Sequence, residues 1–331
     1  METHVELAKA TRGPGRVRSR RNPLGLQDAG LLLVVAALTL YFYARNPAML
    51  APATVRSVLA TASYPALVGL GLVMLMISGE IDLSTGPVMG ACAVAAAWLM
   101  KYAGWPAWAG AAGGLALALG VGLANGVLTV KVGAPSLVAT LAVGITIRGA
   151  SYMLTPGVPI YPLAPEVALV GGLRPFGLLL VSVLMLAVLA VVQTVLRQTR
   201  WGAAIYATGG NRLAAEQCGI HTDRIKIACF MLTSLLAGCS GLLVMCQLTA
   251  GDPIIGRTLE LSIITGVVLG GASFFGGRGS ALGTVLGAVL VQVIKTGLVM
   301  VHVNQDWHVV ILGVLLATAA AVETLGRRRR V

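Results

Sequence analysis

The chain has 331 residues, of which 57 % are hydrophobic and 11 % charged, and its mean hydropathy is +0.87. Soluble domains carry about 25 % charged residues, so these proportions exclude one and indicate an all-α, polytopic helical membrane protein. The formal net charge of +12 sits at the ends of apolar runs, which suits membrane topology and anionic lipid headgroups rather than nucleic acid.

In chain order, a basic arm (1–26) holds six Lys/Arg, from Lys9 to Arg21. Ala29–Ala44 follows as 16 uncharged residues. That is long for the core of a cleaved signal peptide and reads as a first span. Ten spans are expected near 27–45, 56–79, 83–100, 105–130, 134–154, 175–196, 225–249, 258–275, 279–300 and 307–325. They make one transmembrane domain (27–326), followed by a basic tail (327–331). With both termini inside, 17 of the 24 Lys/Arg fall on the cytoplasmic side, as the positive-inside rule requires. Tyr41, Phe42, Tyr43, Tyr102, Trp105, Trp108 and Trp307 lie at expected span ends, where aromatic belts form. Glycines four apart at Gly86/Gly90, Gly122/Gly126, Gly266/Gly270 and Gly279/Gly283/Gly287 predict close helix packing.

Gly79–Pro87 reads GEIDLSTGP and puts Glu80 and Asp82 between two apolar runs with no cation beside them in sequence. Carboxylates near hydrocarbon are costly and often functional. Alternatively, Asp82 or Ser84 caps the third span and Glu80 faces the cytoplasm. Asn125 and Arg148 are further polar intrusions. Asn125 could join helices and Arg148 could snorkel, or either could line a polar path.

Arg197–Lys226 is the long polar interruption of the second half, flanked by 22 and 25 uncharged residues. It is expected to be a cytoplasmic loop carrying one short helix, Arg212–Cys218. Asn211 would cap that helix and Gly219 would stop it, with Thr222 capping the next span. The helix is either a docking surface or an ordinary capped turn.

No phosphate-binding GK[ST], HExxH or GxSxG occurs, and the four His (4, 221, 302, 308) form no cluster. The five Cys include no CxxC. Catalytic, cofactor-binding and metal-binding residues are therefore not expected, and an energised process would need a separate ATPase. A rival reading is an ion-coupled secondary transporter, which would want paired ionisable groups at mid-membrane. A membrane enzyme or scaffold is a second rival.

Four stretches together resemble one family. GEIDLSTGP (79–87), GLANGVLTVKVGAPSLVATLAVGITIRG (122–149), RWGAAIYATGGNRLAAEQCGI (200–220) and VVLGGASFFGGRGSALGTVLGA (267–288) are similar, in order, to segments of bacterial sugar-importer permeases. These are the membrane subunits of ribose, xylose, rhamnose and autoinducer-2 type ABC importers. The resemblance implies an inner-membrane permease without its own ATPase site. Its implied partners are cytoplasmic ABC ATPase subunits, a periplasmic sugar-binding protein and a second permease copy or paralogue. It places Gly209, Gly210, Asn211, Arg212, Ala215 and Gly219 on the segment that meets the ATPase. Glu80, where the family often has Gly, and Pro87, just after the motif, depart from the pattern.

Overall fold

A computed structural model describes residues 26–304 and 306–328. The basic arm expected over 1–26 lies almost wholly outside these residues, as does most of the tail over 327–331. Thirteen α-helices are described: α1 (Leu26–Arg45), α2 (Pro52–Ile77), α3 (Thr85–Lys101), α4 (Ala107–Val130), α5 (Ser136–Leu154), α6 (Pro165–Gly172), α7 (Leu180–Gln198), α8 (Arg200–Gly210), α9 (Arg212–Gln217), α10 (Thr222–Leu248), α11 (Leu259–Leu269), α12 (Ala281–Met300) and α13 (Asp306–Arg328). Among the described residues the β structure is one isolated antiparallel bridge, Ile160 with Gly251.

Seven helices, α1, α2, α4, α5, α7, α10 and α12, are long and apolar enough to cross a membrane. At 1.5 Å per residue, about 20 residues span the hydrocarbon. Three expected spans coincide with shorter apolar stretches: α3 has 17 residues, α11 has 11, and the apolar part of α13 is Trp307–Ala321. Span 8, expected to run to 275, leaves the helix at Gly270, where Gly271 adopts φ +90°.

α2 is the axis. Its most apolar stretch is 78 % buried, against 11 % for α1. It packs on α7, α10, α11 and α12, while α10 also covers α3, α4 and α6. Small residues bring these backbones together. Gly122 and Gly126 of α4 face Met231 and Ile227 of α10, and Gly266 of α11 and Gly270 just past its end meet Gly287 and Gly283 of α12. Close approach of this kind replaces the hydrophobic drive that lipid cannot supply.

Two elements depart from the expected layout. α6 interrupts the connection before α7, announced by Pro165 in its first turn and Glu166 beside it. The stretch 197–226 is not a loop with one helix. α7 continues to Gln198, Thr199 accepts from Gly202 N–H (3.1 Å), and α8 then runs to Gly210.

Candidate coupling site

Three of the sequence motifs meet at one end of the bundle. α2 ends at Ile77, and Gly79 turns the chain with φ +93°, a conformation that disfavours any Cβ. The Ile77 carbonyl accepts a hydrogen bond from Gly277 N–H (2.8 Å) in the α11–α12 loop. The end of α8 lies over this junction. A Cβ on Gly209 would overlap the Ile77 carbonyl oxygen, whereas one on Gly210 would meet open space. A Cβ on Gly276 would crowd the Gly209 carbonyl and Gly79. Backbone therefore touches backbone across residues 79, 209 and 276–277. Glycine spacing alone gave no sign of this junction.

α9 starts from it. Asn211 is extended (φ −159°) and its Oδ1 accepts from Ala214 N–H (3.1 Å). At the other end Ile220 N–H donates to Ala215 O (3.1 Å) and Gly219 N–H to Glu216 O (2.9 Å), with Gly219 at φ +80°. These are the two bonds of a Schellman stop. A six-residue helix cannot persist on propensity alone, so the caps and side-chain pairs must hold it. Thr222 does not cap α10. His221 occupies that position without a side-chain bond, and Thr222 Oγ1 donates to Glu216 Oε1 (2.6 Å). A short backbone bond from Thr222 N–H to Ile220 O leaves the hydroxyl free to point back to α9.

Arg212 links α9 to α10, donating to Glu216 Oε1 (2.8 Å) and Asp223 Oδ1 (3.0 Å), and Lys131 at the end of α4 donates to Asp223 Oδ2 (2.8 Å). The hydrogen bond from Arg212, with that from Thr222, holds the Glu216 carboxyl below its ordinary range. Ala215 is turned inward and 4 % exposed, while Leu213 is 73 % exposed. Ala215 thus seats α9, and Leu213 carries its outward apolar surface.

Glu80 has a partner that sequence proximity hid. Lys226, 146 residues away in α10, donates to its Oε1 (2.6 Å), and the two side chains are 10 % and 15 % exposed, Lys226 the more buried. Lys226, taken from sequence as a loop cation, is within the first turns of α10.

Asp82, Ser84 and Asn125 form one buried cluster. Ser84 N–H (2.7 Å) and Oγ–H (2.6 Å) donate to Asp82 Oδ1, and Asn125 Nδ2 donates to Ser84 Oγ (2.8 Å). Ser84 precedes α3 without capping it through its side chain, because its hydroxyl is committed to Asp82. Leu83 N–H donates to Thr140 Oγ1 (3.0 Å), and Gly144 packs on Ser84 and Pro87, so α5 braces the same loop. Asp82 Oδ2 and Asn125 Oδ1 are buried with no partner among the described residues. Burial pushes the Asp82 carboxyl up to about 6 despite the Ser84 bonds. Arg148 stands apart, its Nη2 3.9 Å from Glu260 Oε2 on α11, so it is neither in this cluster nor at α9.

Among the described residues, an all-helical bundle with seven membrane-length helices and a capped surface helix defines a multi-pass membrane protein. The chain matches the family described as "Branched-chain amino acid transport system / permease component" over residues 54–320 and belongs to it. It is 32 % identical over 314 residues to the probable ABC transporter permease protein YphD of Escherichia coli K12, covering 92 % of this chain and 91 % of that protein. It is 29 % identical over 297 residues to the ribose import permease protein RbsC of the same strain, covering 88 % and 90 %. It is 31 % identical over 313 residues to the autoinducer 2 import system permease protein LsrC of Klebsiella pneumoniae, covering 92 % and 90 %. No solved structure matches the chain.

Proposed function

We propose that this chain is the membrane-spanning permease of an ATP-binding-cassette importer in the bacterial inner membrane, carrying a sugar or sugar-like solute of the ribose, xylose, rhamnose or autoinducer-2 class. It works with a separate cytoplasmic ATPase, a periplasmic binding protein and a second permease copy or paralogue. The relatives' ribose and autoinducer-2 import roles support the substrate class. One observation carries the coupling role: α9, capped at both ends and exposing Leu213, continues from the Gly209 contact with α2 and the α11–α12 loop.

The reading includes ten crossings with both termini inside. Cross-helix contacts support it by sorting into two groups. Glu80–Lys226, Lys131–Asp223 and Arg278–Glu323 join residues expected inside. Lys101 with the Tyr161 carbonyl, Asn46 with the Met300 carbonyl (3.2 Å) and the Ile160–Gly251 bridge join residues expected outside.

In this mechanism, closure of the ATPase pushes Leu213, Arg212 and their neighbours. Gly209 has no room to yield against Ile77, so displacement passes to the ends of α2, α11 and α12. Ala215 and Gly219 keep α9 seated while it moves, and Gly210 with Asn211 forms the joint. A neutral sugar needs a weakly polar route and no charge in it, and Asp82, Ser84 and Asn125 brace that route rather than carry solute.

Reconstitution in proteoliposomes with the ATPase and binding protein tests this. Leu213→Asp should reduce ATP-driven uptake at least ~10-fold, the effect of losing about 1.4 kcal/mol of docking, while basal hydrolysis continues. Uptake that proceeds without the ATPase and collapses with an uncoupler would sink the reading.

A further inference from the structure

Most cations near α9 are matched: Lys131, Arg212 and Lys226 each meet a carboxylate. Arg200 at the start of α8 and Arg224 in the first turn of α10 meet none among the described residues. Both line a single cavity of about 830 Å³ between α8 and the start of α10, together with His221. Among the described residues no Asp or Glu lines it. Its remaining wall is apolar: Trp201, Ala203, Ala204 and Ala207 from α8, with Ile220, Ile225 and Ala228 opposite.

The placement matters as much as the composition. α7 and α10 are membrane-length helices, and α8 and α9 join them at their polar ends, so the cavity lies where the apolar spans give way to charged residues, the level at which lipid headgroups are expected. The small side chains of Ala203, Ala204 and Ala207 on α8 and Ala228 on α10 leave room along the apolar wall. Trp201 is the amphipathic residue expected at such a boundary. Trp105, Trp108 and Trp307 belong to loops or helix ends at the opposite end of the bundle, and Trp98 lies in the last turn of α3 beside Tyr102. A cavity lined by two arginines that meet no carboxylate among the described residues and by an otherwise apolar wall matches a ligand with one anionic head and apolar tails. Basic pockets between membrane helices bind acidic lipid headgroups for this reason. A free anion would satisfy the arginines and leave the apolar wall exposed. A neutral lipid would cover the wall and leave the cations unmatched.

The geometry points to a binding site for one anionic phospholipid in this cavity, its phosphodiester held by Arg200, His221 and Arg224 and its acyl chains lying along Ala203, Ala204, Ala207 and Ala228. Arginine suits the role because its planar fork grips two phosphate oxygens at once. The site rests only on the chain spanning a membrane, not on its having an ATPase or sugar as partner. Ile220 belongs both to this cavity and to the Schellman stop of α9, so an occupied site props α8 against α10 where α9 leaves the bundle.

The test uses the full chain in nanodiscs containing brominated phosphatidylglycerol or brominated phosphatidylcholine. The Trp201 fluorescence is isolated as the difference between the native chain and Trp201→Phe. Half-maximal quenching should need a several-fold lower mole fraction of the anionic lipid. Arg200→Gln/Arg224→Gln should abolish that preference, and Arg200→Lys/Arg224→Lys should keep most of it. Raising NaCl on the native chain should also weaken the preference, which reads the charge term without any substitution. Equal quenching by both lipids, a preference that survives the double Gln change in a folded protein, or insensitivity to salt would overturn the site. So would displacement by inorganic phosphate alone, or loss of the preference when the ATPase assembles, because the occupant would then be a soluble anion or a protein.

Discussion

The α2–α3 loop and the α8–α9 segment are both polar breaks between apolar helices, they lie at the same end of the bundle, and they are built in opposite ways. The first is internal. Asp82, Ser84 and Asn125 are wholly buried and joined by short hydrogen bonds, with α4 and α5 as walls. The second is external. Its charges are half-exposed, and α9 buries a single residue, Ala215. They touch at Gly79 with Gly209 and, one helix further, through Glu80 with Lys226. Polarity in a membrane bundle thus serves two ends. Inside, it fixes one geometry, because breaking a bond strands a polar group away from water. Outside, solvent can replace a lost partner, so the loss of one bond costs little.

The largest effect is expected at Glu80–Lys226. Lys226→Met strands a carboxylate in a site only 15 % exposed, and removing one partner of a buried pair costs about 3–5 kcal/mol. Thermal unfolding in detergent should show a large loss, and Glu80→Gln/Lys226→Met should recover most of it. If the single change is neutral, solvent reaches the pair and the inner region is softer than argued.

Next comes the glycine contact. Gly209→Ala should destabilise by about 1–3 kcal/mol through overpacking against the Ile77 backbone, while Gly210→Ala, facing open space, should stay within about 0.5 kcal/mol. Equal effects at the two positions would remove the rigid link between α8 and α2.

Asp82 sharpens the inner half through pH. Its folded value of about 6 lies above the ordinary 3.8, so the folded protein holds the proton more tightly than the unfolded chain. Stability should therefore be greatest below pH 3.8 as far as this group is concerned, fall as pH rises to about 6, and level off above. Asp82→Asn should remove that slope in melting curves taken across the window. Glu216 shifts the other way, contributing above its unfolded value and losing its hold on α9 as pH falls through the lowered folded one.

The smallest effect is expected at the outer half. Lys131→Gln removes a pair whose lysine is 60 % exposed, and such pairs contribute about 0–1 kcal/mol. Unfolding should barely change. A loss as large as that of Lys226→Met would erase the distinction between the two regions.

Much of the segment around α9 was legible in the residues. Asn211 announces a cap and Gly219 a left-handed stop, because both act through bonds within a few positions of themselves. α8 was not legible. Gly202, Thr208, Gly209 and Gly210 weaken the helical pattern, and burial of Ile205 against the bundle overrides that local preference. Thr222 was assigned to a cap because the residue type fits one. Its actual partner, Glu216, is selected by the turn that α9 imposes.

An all-helical membrane protein, the order of its apolar segments and the place of its capped surface helix can be read from the residues, since hydropathy, length and capping are local properties. That Glu80 meets Lys226, that Gly209 rests on Ile77 and Gly277, that Ala215 faces inward while Leu213 faces out, and that Arg200 and Arg224 share a cavity emerges from the packed bundle alone. Each of those depends on how helices far apart in the chain are set against one another. Helix packing is governed by the summed fit of many small contacts, and no short stretch of residues contains it.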